Sequence, residues 1–173
     1  MNHEEKQIEV LVVGLGNELL TDDGAGVHVI RLLQNEPPTE GVVFTEVGTA
    51  ILHAQYLLEQ AACVIAIDAV QAGDEPGTLY LFDMDQAELN RPASLHELGI
   101  VGVLQLIPQQ NRPRTVVLGV EPETIDYGME LSPVVRAAAG RVVKIVREMI
   151  NEILSRRAGC SAGFVINDFN VSL

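Results

Sequence analysis

Three places in this chain carry side chains that could do chemistry together. The first is the glycine-bounded acidic turn Gly14-Leu15-Gly16-Asn17-Glu18-Leu19-Leu20-Thr21-Asp22-Asp23-Gly24. The second is Asp68, which ends the apolar run Val64-Ile65-Ala66-Ile67, and the third is His96, two residues after Ser94. Two carboxylates and one imidazole make an oxygen and nitrogen donor set of borderline hardness, suited to a divalent ion such as zinc or nickel. Three protein ligands leave positions open for water or a substrate group. Taken singly, each residue also has a plainer reading: a carboxylate after a strand caps a helix or bonds a loop, and a histidine near a helix start is structural or merely exposed. Spacing alone licenses a candidate metal site and nothing further.

Bringing these residues together requires a particular scaffold. The β-branched runs Val10 to Val13, Val42 to Val47, Cys63 to Ile67, Thr78 to Phe82 and Thr115 to Val120 alternate with segments of helical period. That alternation predicts one three-layer α/β/α domain with a mostly parallel, twisted sheet of about five strands. Ligands of such sheets bind beyond the carboxyl ends of the strands, where both the acidic turn and Asp68 fall.

Gly26, Val29, Ile30 and Leu33 share one helical face after the first strand, with Asp22 or Asp23 placed to cap the helix start. Gly26 on that face lets the helix lie close to the sheet. A second helix is predicted from Ala50 to Gln60. A third begins near Ser94, where Ser94 and Glu97 form a capping-box pattern before Leu98, Val101 and Leu104. His96 then sits in a first turn, whose positive dipole end favours the neutral, metal-binding imidazole. His3, His28 and His53 lack an evident carboxylate partner or lie in the N-terminal tail.

The last helix opens at Ser132-Pro133 and carries the stripe Val135, Ala138, Val142, Ile145, Val146, Met149 and Ile153. Periodicity is lost beyond it, so residues 1–154 read as the domain and 155–173 as a tail of uncertain order.

Composition narrows the function classes. A chain of 173 residues, 47% of them hydrophobic, can bury one substantial core. Eleven basic against 24 acidic residues give a formal charge of −13, which repels nucleic acid and anionic membrane surfaces. Arg112 with Arg114, and Arg156 with Arg157, read as solvated surface or helix ends. Cys63 and Cys160 form no Cys-x-x-Cys pair, which argues against a disulfide framework or thiolate metal site; Cys63 reads as a small buried side chain. No apolar run approaches the roughly 20 residues that span a bilayer, and the polar start is unlike a secretory signal, so the reading is soluble and cytoplasmic.

Gly14-Leu15-Gly16 also invites a dinucleotide-binding reading, with Glu46 as the acid on the ribose. The third glycine is missing, Leu19 stands in its place, and the carboxylates that follow would repel a pyrophosphate.

Several blocks, in order along the chain, resemble the hydrogenase maturation proteases. They are Val12-Val13-Gly14-Leu15-Gly16-Asn17-Glu18-Leu19-Leu20-Thr21-Asp22-Asp23-Gly24-Ala25-Gly26, Ile67-Asp68-Ala69, Ser94-Leu95-His96-Glu97-Leu98-Gly99, Leu118-Gly119-Val120-Glu121-Pro122-Glu123 and Gly128-Met129-Glu130-Leu131-Ser132-Pro133. Val47-Gly48-Thr49 departs from the family, whose members often carry two glycines before the threonine.

The resemblance implies a hydrolase, an aspartyl-type endopeptidase that removes the C-terminal extension of a nickel-iron hydrogenase large-subunit precursor after nickel insertion. It implies Asp23, Asp68 and His96 as catalytic and metal-contacting residues, with the nickel delivered in the substrate. Asp22 reads instead as a cap or turn stabiliser. No Ser-His-Asp or Cys-His signature supplies a nucleophile, so water attacks while Asp23 or Asp68 accepts a proton. Substrate specificity is expected in loops such as Gln71 to Gly77 and Gln109 to Arg114. The alternatives are a nickel-binding carrier without peptidase activity and the dinucleotide-binding module.

Overall fold

A strand buried on both faces must be apolar along its whole length, because its side chains alternate between two cores. Strand β1 (Ile8–Leu15) meets this demand: Val10 and Val12 enter one core, Leu11 and Val13 the other, and all four are fully buried. The computed structural model describes residues 7–84 and 99–158. Within them β1 lies between β2 (Val42–Gly48) and β3 (Ala61–Ala69), and the sheet continues through β5 (Arg114–Val120) to β4 (Leu79–Asp83). All pairings are parallel except that of β4, which runs antiparallel on β5 with Leu81 opposite Leu118.

Helices α1 (Ala25–Gln34) and α4 (Pro133–Ala158) cover the face that carries Val10, Val12, Ile65 and Leu118. On the other face, α2 (Gln55–Gln60), entered through a 3-10 turn at Ile51–Ala54, and α3 (Gly99–Leu106) cover Leu11, Val13, Val64 and Val117. The three layers and five strands are those the sequence predicts. Ser132 caps α4 as expected: its Oγ accepts the Val135 N–H at 3.4 Å and its carbonyl the Arg136 N–H at 2.9 Å. The helix runs four residues past position 154. Helix α3 buries Ile100, Val103 and Leu104, so the inward stripe differs from one drawn through Val101, which is half-buried. The Ser94–Glu97 capping box lies outside the described residues. Among those described, no helix is long and apolar enough to cross a membrane.

The chain leaves β1 toward β2 on one side and returns to β3 on the other, so the carboxyl ends of β1 and β3 flank the topological switch point. Helix α1 starts directly over this point. A Cβ added to Gly26 would lie 2.2 Å from the Ile67 carbonyl oxygen and 2.5 Å from that of Leu15. One added to Gly14 would lie 2.4 Å from the Gly26 carbonyl oxygen. Two glycines therefore let helix and strand backbones touch.

Gly26→Ala should destabilise the fold by about 2 kcal/mol or more, despite alanine's better helix propensity, because the methyl has only backbone to displace. Urea denaturation checks this; an unchanged midpoint would mean that α1 can lift from the sheet.

Candidate active site

A cleft of about 350 Å³ opens at the switch point, and Asp23 and Asp68 both line it. Gly16 brings them together. It adopts φ +98°, and a Cβ there would lie 1.8 Å from the Asp23 carbonyl oxygen and 3.6 Å from Asp68 Oδ1. The turn can thus close only over a residue without a side chain. Asp23 follows in a 3-10 turn (Thr21–Gly24), and its Oδ2 accepts the Asn17 N–H at 2.7 Å, which fixes its rotamer. Asp68 lies in the last two residues of β3, held by the pairing of β3 with β5 opposite Gly119. Gly48, with φ +58°, and Thr49 form another wall.

The two aspartates of the turn have separate tasks, and neither caps α1: its N-cap is Gly24, with no side-chain hydrogen bond. Asp22 is fully buried. Its Oδ2 accepts the N–H groups of Glu123 at 3.0 Å and Thr124 at 3.1 Å, and its Oδ1 accepts that of Ser132 at 2.7 Å. The expected cap is therefore a long-range tie across the loop between β5 and α4, made where three backbone donors converge on one carboxylate. Thr21, at φ +45°, adds a hydroxyl that donates to the Thr124 carbonyl at 2.8 Å and accepts from the Asp126 N–H at 3.1 Å.

Glu121 does for the loop between β3 and β4 what Asp22 does for its neighbour. Its carboxylate accepts the Tyr80 hydroxyl at 2.5 Å and the N–H groups of Ala72 and Gly73 at 2.8 and 3.2 Å. Burial pushes this carboxyl up, but the Tyr80 hydroxyl and the Ala72, Gly73 and Asp74 N–H groups outweigh burial and hold it below its ordinary range.

Among the described residues, Asp68 receives no such compensation. Burial, then the facing charge of Asp23, pushes it up to about 7, against the single opposing N–H of Ala69 at 2.9 Å. A carboxyl poised there can exchange a proton at neutral pH, as a general acid or base must.

His96 lies outside the described residues, and among those described no group of three or more His, Cys, Asp and Glu side chains is arranged to hold a metal ion. His28 bonds the Met129 carbonyl at 3.1 Å, and His53 is exposed. Of the loops expected to set specificity, Gln71 lines the cleft. Gln109 to Arg114 does not: it leads into β5, whose first residue is Arg114, at the opposite edge of the parallel sheet, and Arg112 there donates to the Ile107 carbonyl at 2.8 Å. Ile125 lines the cleft without any signal in its own sequence, although its place after β5 puts it at the correct edge. The dinucleotide reading fares poorly, since the Asn17 amide is taken by Asp23, and Glu46 is bonded to Arg31 at 2.9 Å, which also pairs with Glu18 at 2.7 Å.

Asp22→Ala strands three backbone donors and should cost at least about 3 kcal/mol, more than the ~1 kcal/mol of a lost helix cap. A urea midpoint shifted no further than a cap explains would disprove the tie. For Asp68 the sign is opposite. Its folded-state value lies above the unfolded 3.8, so wild-type stability falls as pH rises from about 4 to about 7. Asp68→Asn should therefore stabilise the fold, by about 1–2 kcal/mol more at pH 8 than at pH 5 once partial exposure is allowed for. Equal gains at both pH values would show an unshifted carboxyl.

Comparison with known proteins bears on the family and the fold. The family model for hydrogenase maturation protease matches residues 27–149. The chain is similar to hydrogenase expression/formation protein HoxM of Azotobacter vinelandii, at 34% identity over 150 residues, covering 83% of this chain and 72% of that protein. It is also similar to coenzyme F420 hydrogenase subunit delta of Methanothermobacter thermautotrophicus, at 32% identity, covering 82% of this chain and 94% of that one. Among solved structures, hydrogenase maturating endopeptidase HybD from E. coli superposes with a TM-score of 0.74 at 26% identity, over 84% of this chain and 93% of that one. The HybD maturation protease of Thermococcus kodakarensis gives 0.64 at 28% identity, over 82% and 99%. The family model covers more than half of the chain, and the HoxM protein is 34% identical over 83% of it, so the chain belongs to the hydrogenase maturation protease family.

Proposed function

We propose that this protein is the endopeptidase that removes the C-terminal extension of a nickel-iron hydrogenase large-subunit precursor once nickel has been inserted, and that it recognises the substrate's nickel through Asp23, Asp68 and His96. One observation carries this reading: two carboxylates from separate strand ends line one cleft at the switch point of a maturation-protease fold, and Asp68 there bears an unrelieved electrostatic cost. The other buried acids among the described residues, Asp22 and Glu121, are satisfied by backbone N–H groups and the Tyr80 hydroxyl, whereas a cation brought by the substrate would relieve Asp68.

In this reading the nickel remains part of the substrate. Carboxylate oxygens and an imidazole complete its coordination without displacing the thiolates that hold it in the precursor. An unfilled precursor offers the cleft no cation and is left uncut. For the cleavage itself, one aspartate takes a proton from water as the new C–O bond forms at the scissile carbonyl. That proton then passes to the departing amine as the C–N bond breaks.

Asp68→Asn, Asp23→Asn and His96→Ala should each slow release of the C-terminal peptide from nickel-loaded precursor by at least about a hundredfold, with the variants still folded. Mass spectrometry of the precursor reads this directly. Wild-type rates in any variant would remove that residue from the mechanism. A precursor of unchanged mass with the wild-type protein would favour a nickel-binding carrier.

A further inference from the structure

Four of the eight large apolar side chains exposed among the described residues lie on two short segments at one edge of the cleft. Leu19, in the turn after β1, is 56% exposed; Ile125, Tyr127 and Met129, between β5 and α4, are 39%, 91% and 55% exposed. The segments are joined. The Gly128 N–H donates to the Leu19 carbonyl at 3.0 Å and the Thr21 N–H to the Gly128 carbonyl at 2.7 Å, so the neighbours of Gly128 stand beside Leu19. Ile125 lines the cleft itself, so this apolar surface starts beside Asp23 and Asp68 and runs outward.

Single exposed apolar residues need no explanation, but a cluster continuous with a cleft does. This cluster is also held rigidly. Asp22 binds the amides of Glu123, Thr124 and Ser132, Thr21 binds Thr124 and Asp126, and His28 reaches the Met129 carbonyl. A fixed backbone that presents an aromatic ring and a methionine to solvent is preorganised for contact, since little freedom remains to be lost on binding.

The occupant follows from size and charge. A cleft of about 350 Å³ admits a few side chains, whereas a maturation protease acts on a polypeptide, which must continue across the rim. Along this rim Glu123 and Asp126 are exposed, and no lysine or arginine among the described residues pairs with either. We infer that Leu19, Ile125, Tyr127 and Met129 form the docking surface for the precursor segment next to the scissile bond, an apolar stretch bearing at least one lysine or arginine. The precursor as partner rests on the peptidase reading above.

The test compares Tyr127→Ala/Met129→Ala with Leu32→Ala/Tyr56→Ala, which removes apolar side chains exposed elsewhere. Affinity for nickel-loaded precursor is measured by surface immobilisation, and processing under steady state. The first pair should raise both Kd and KM about tenfold or more, with kcat and the urea midpoint unchanged, while the control pair does neither. Glu123→Lys/Asp126→Lys should also weaken binding, more so at low salt. Unchanged Kd and KM in the first pair would overturn the inference, as would a fall in kcat alone. So would loss of wild-type self-association in that pair with precursor affinity intact, which would assign the surface to a second copy of this chain. If the wild-type protein binds precursor without cutting it, the peptidase reading fails, and the docking surface still stands or falls on Kd.

Discussion

Backbone meets backbone where helix α1 begins, and the geometry of the site depends on that contact. Gly26 lies against the carbonyls that end β1 and approach the end of β3, and Gly14 lies against Gly26 in turn. With any side chain between them, the helix start would move outward and the 3-10 turn that carries Asp23 would move with it. Asp23 would then no longer close over Gly16 toward Asp68. The contact also explains why the second residue of α1 is a glycine rather than a larger residue. Ala25 joins the same core from the first turn, and Ile30 and Leu33 supply the larger side chains further along the helix.

Around that fixed point, the buried and half-buried acids divide structural from chemical work. Asp22 and Glu121 are buried and saturated with donors, so each costs little to hold and fastens a loop to the carboxyl edge of the sheet. Among the described residues Asp68 receives one backbone donor, and it faces a second carboxylate. A fold that builds firm carboxylate clasps on both sides of the cleft and leaves the acid between them under-compensated has placed electrostatic cost at one location. Such a cost is tolerated where a substrate can relieve it.

The fold family fits this division. In a parallel sheet every strand delivers its exit loop to the same edge, so residues far apart in sequence are assembled there without any having to span the core. The antiparallel β4 closes one side of the sheet and brings Tyr80 back to Glu121, which secures the loop that follows Asp68. The loop after β5 arrives at the same edge, clasped by Asp22, and carries Ile125 into the cleft.

Much of this was legible in the residues themselves. Apolar runs of strand length, the helical face of Gly26, Val29, Ile30 and Leu33, and the Ser132-Pro133 helix start are local patterns, and local patterns encode elements and their order. Order in turn fixed which edge would carry Asp23 and Asp68. What each carboxylate does there was not legible. Asp22 and Asp23 are adjacent in sequence and chemically identical, yet one faces three amides from a loop a hundred residues on, and the other faces a cleft. Likewise Gln109 to Arg114 and Ile125 are both loop residues near β5, and only the strand's direction sends one to the far edge and the other into the site. The difference lies in which backbone donors and charges surround each group, and that is set by packing between segments that the linear sequence keeps apart.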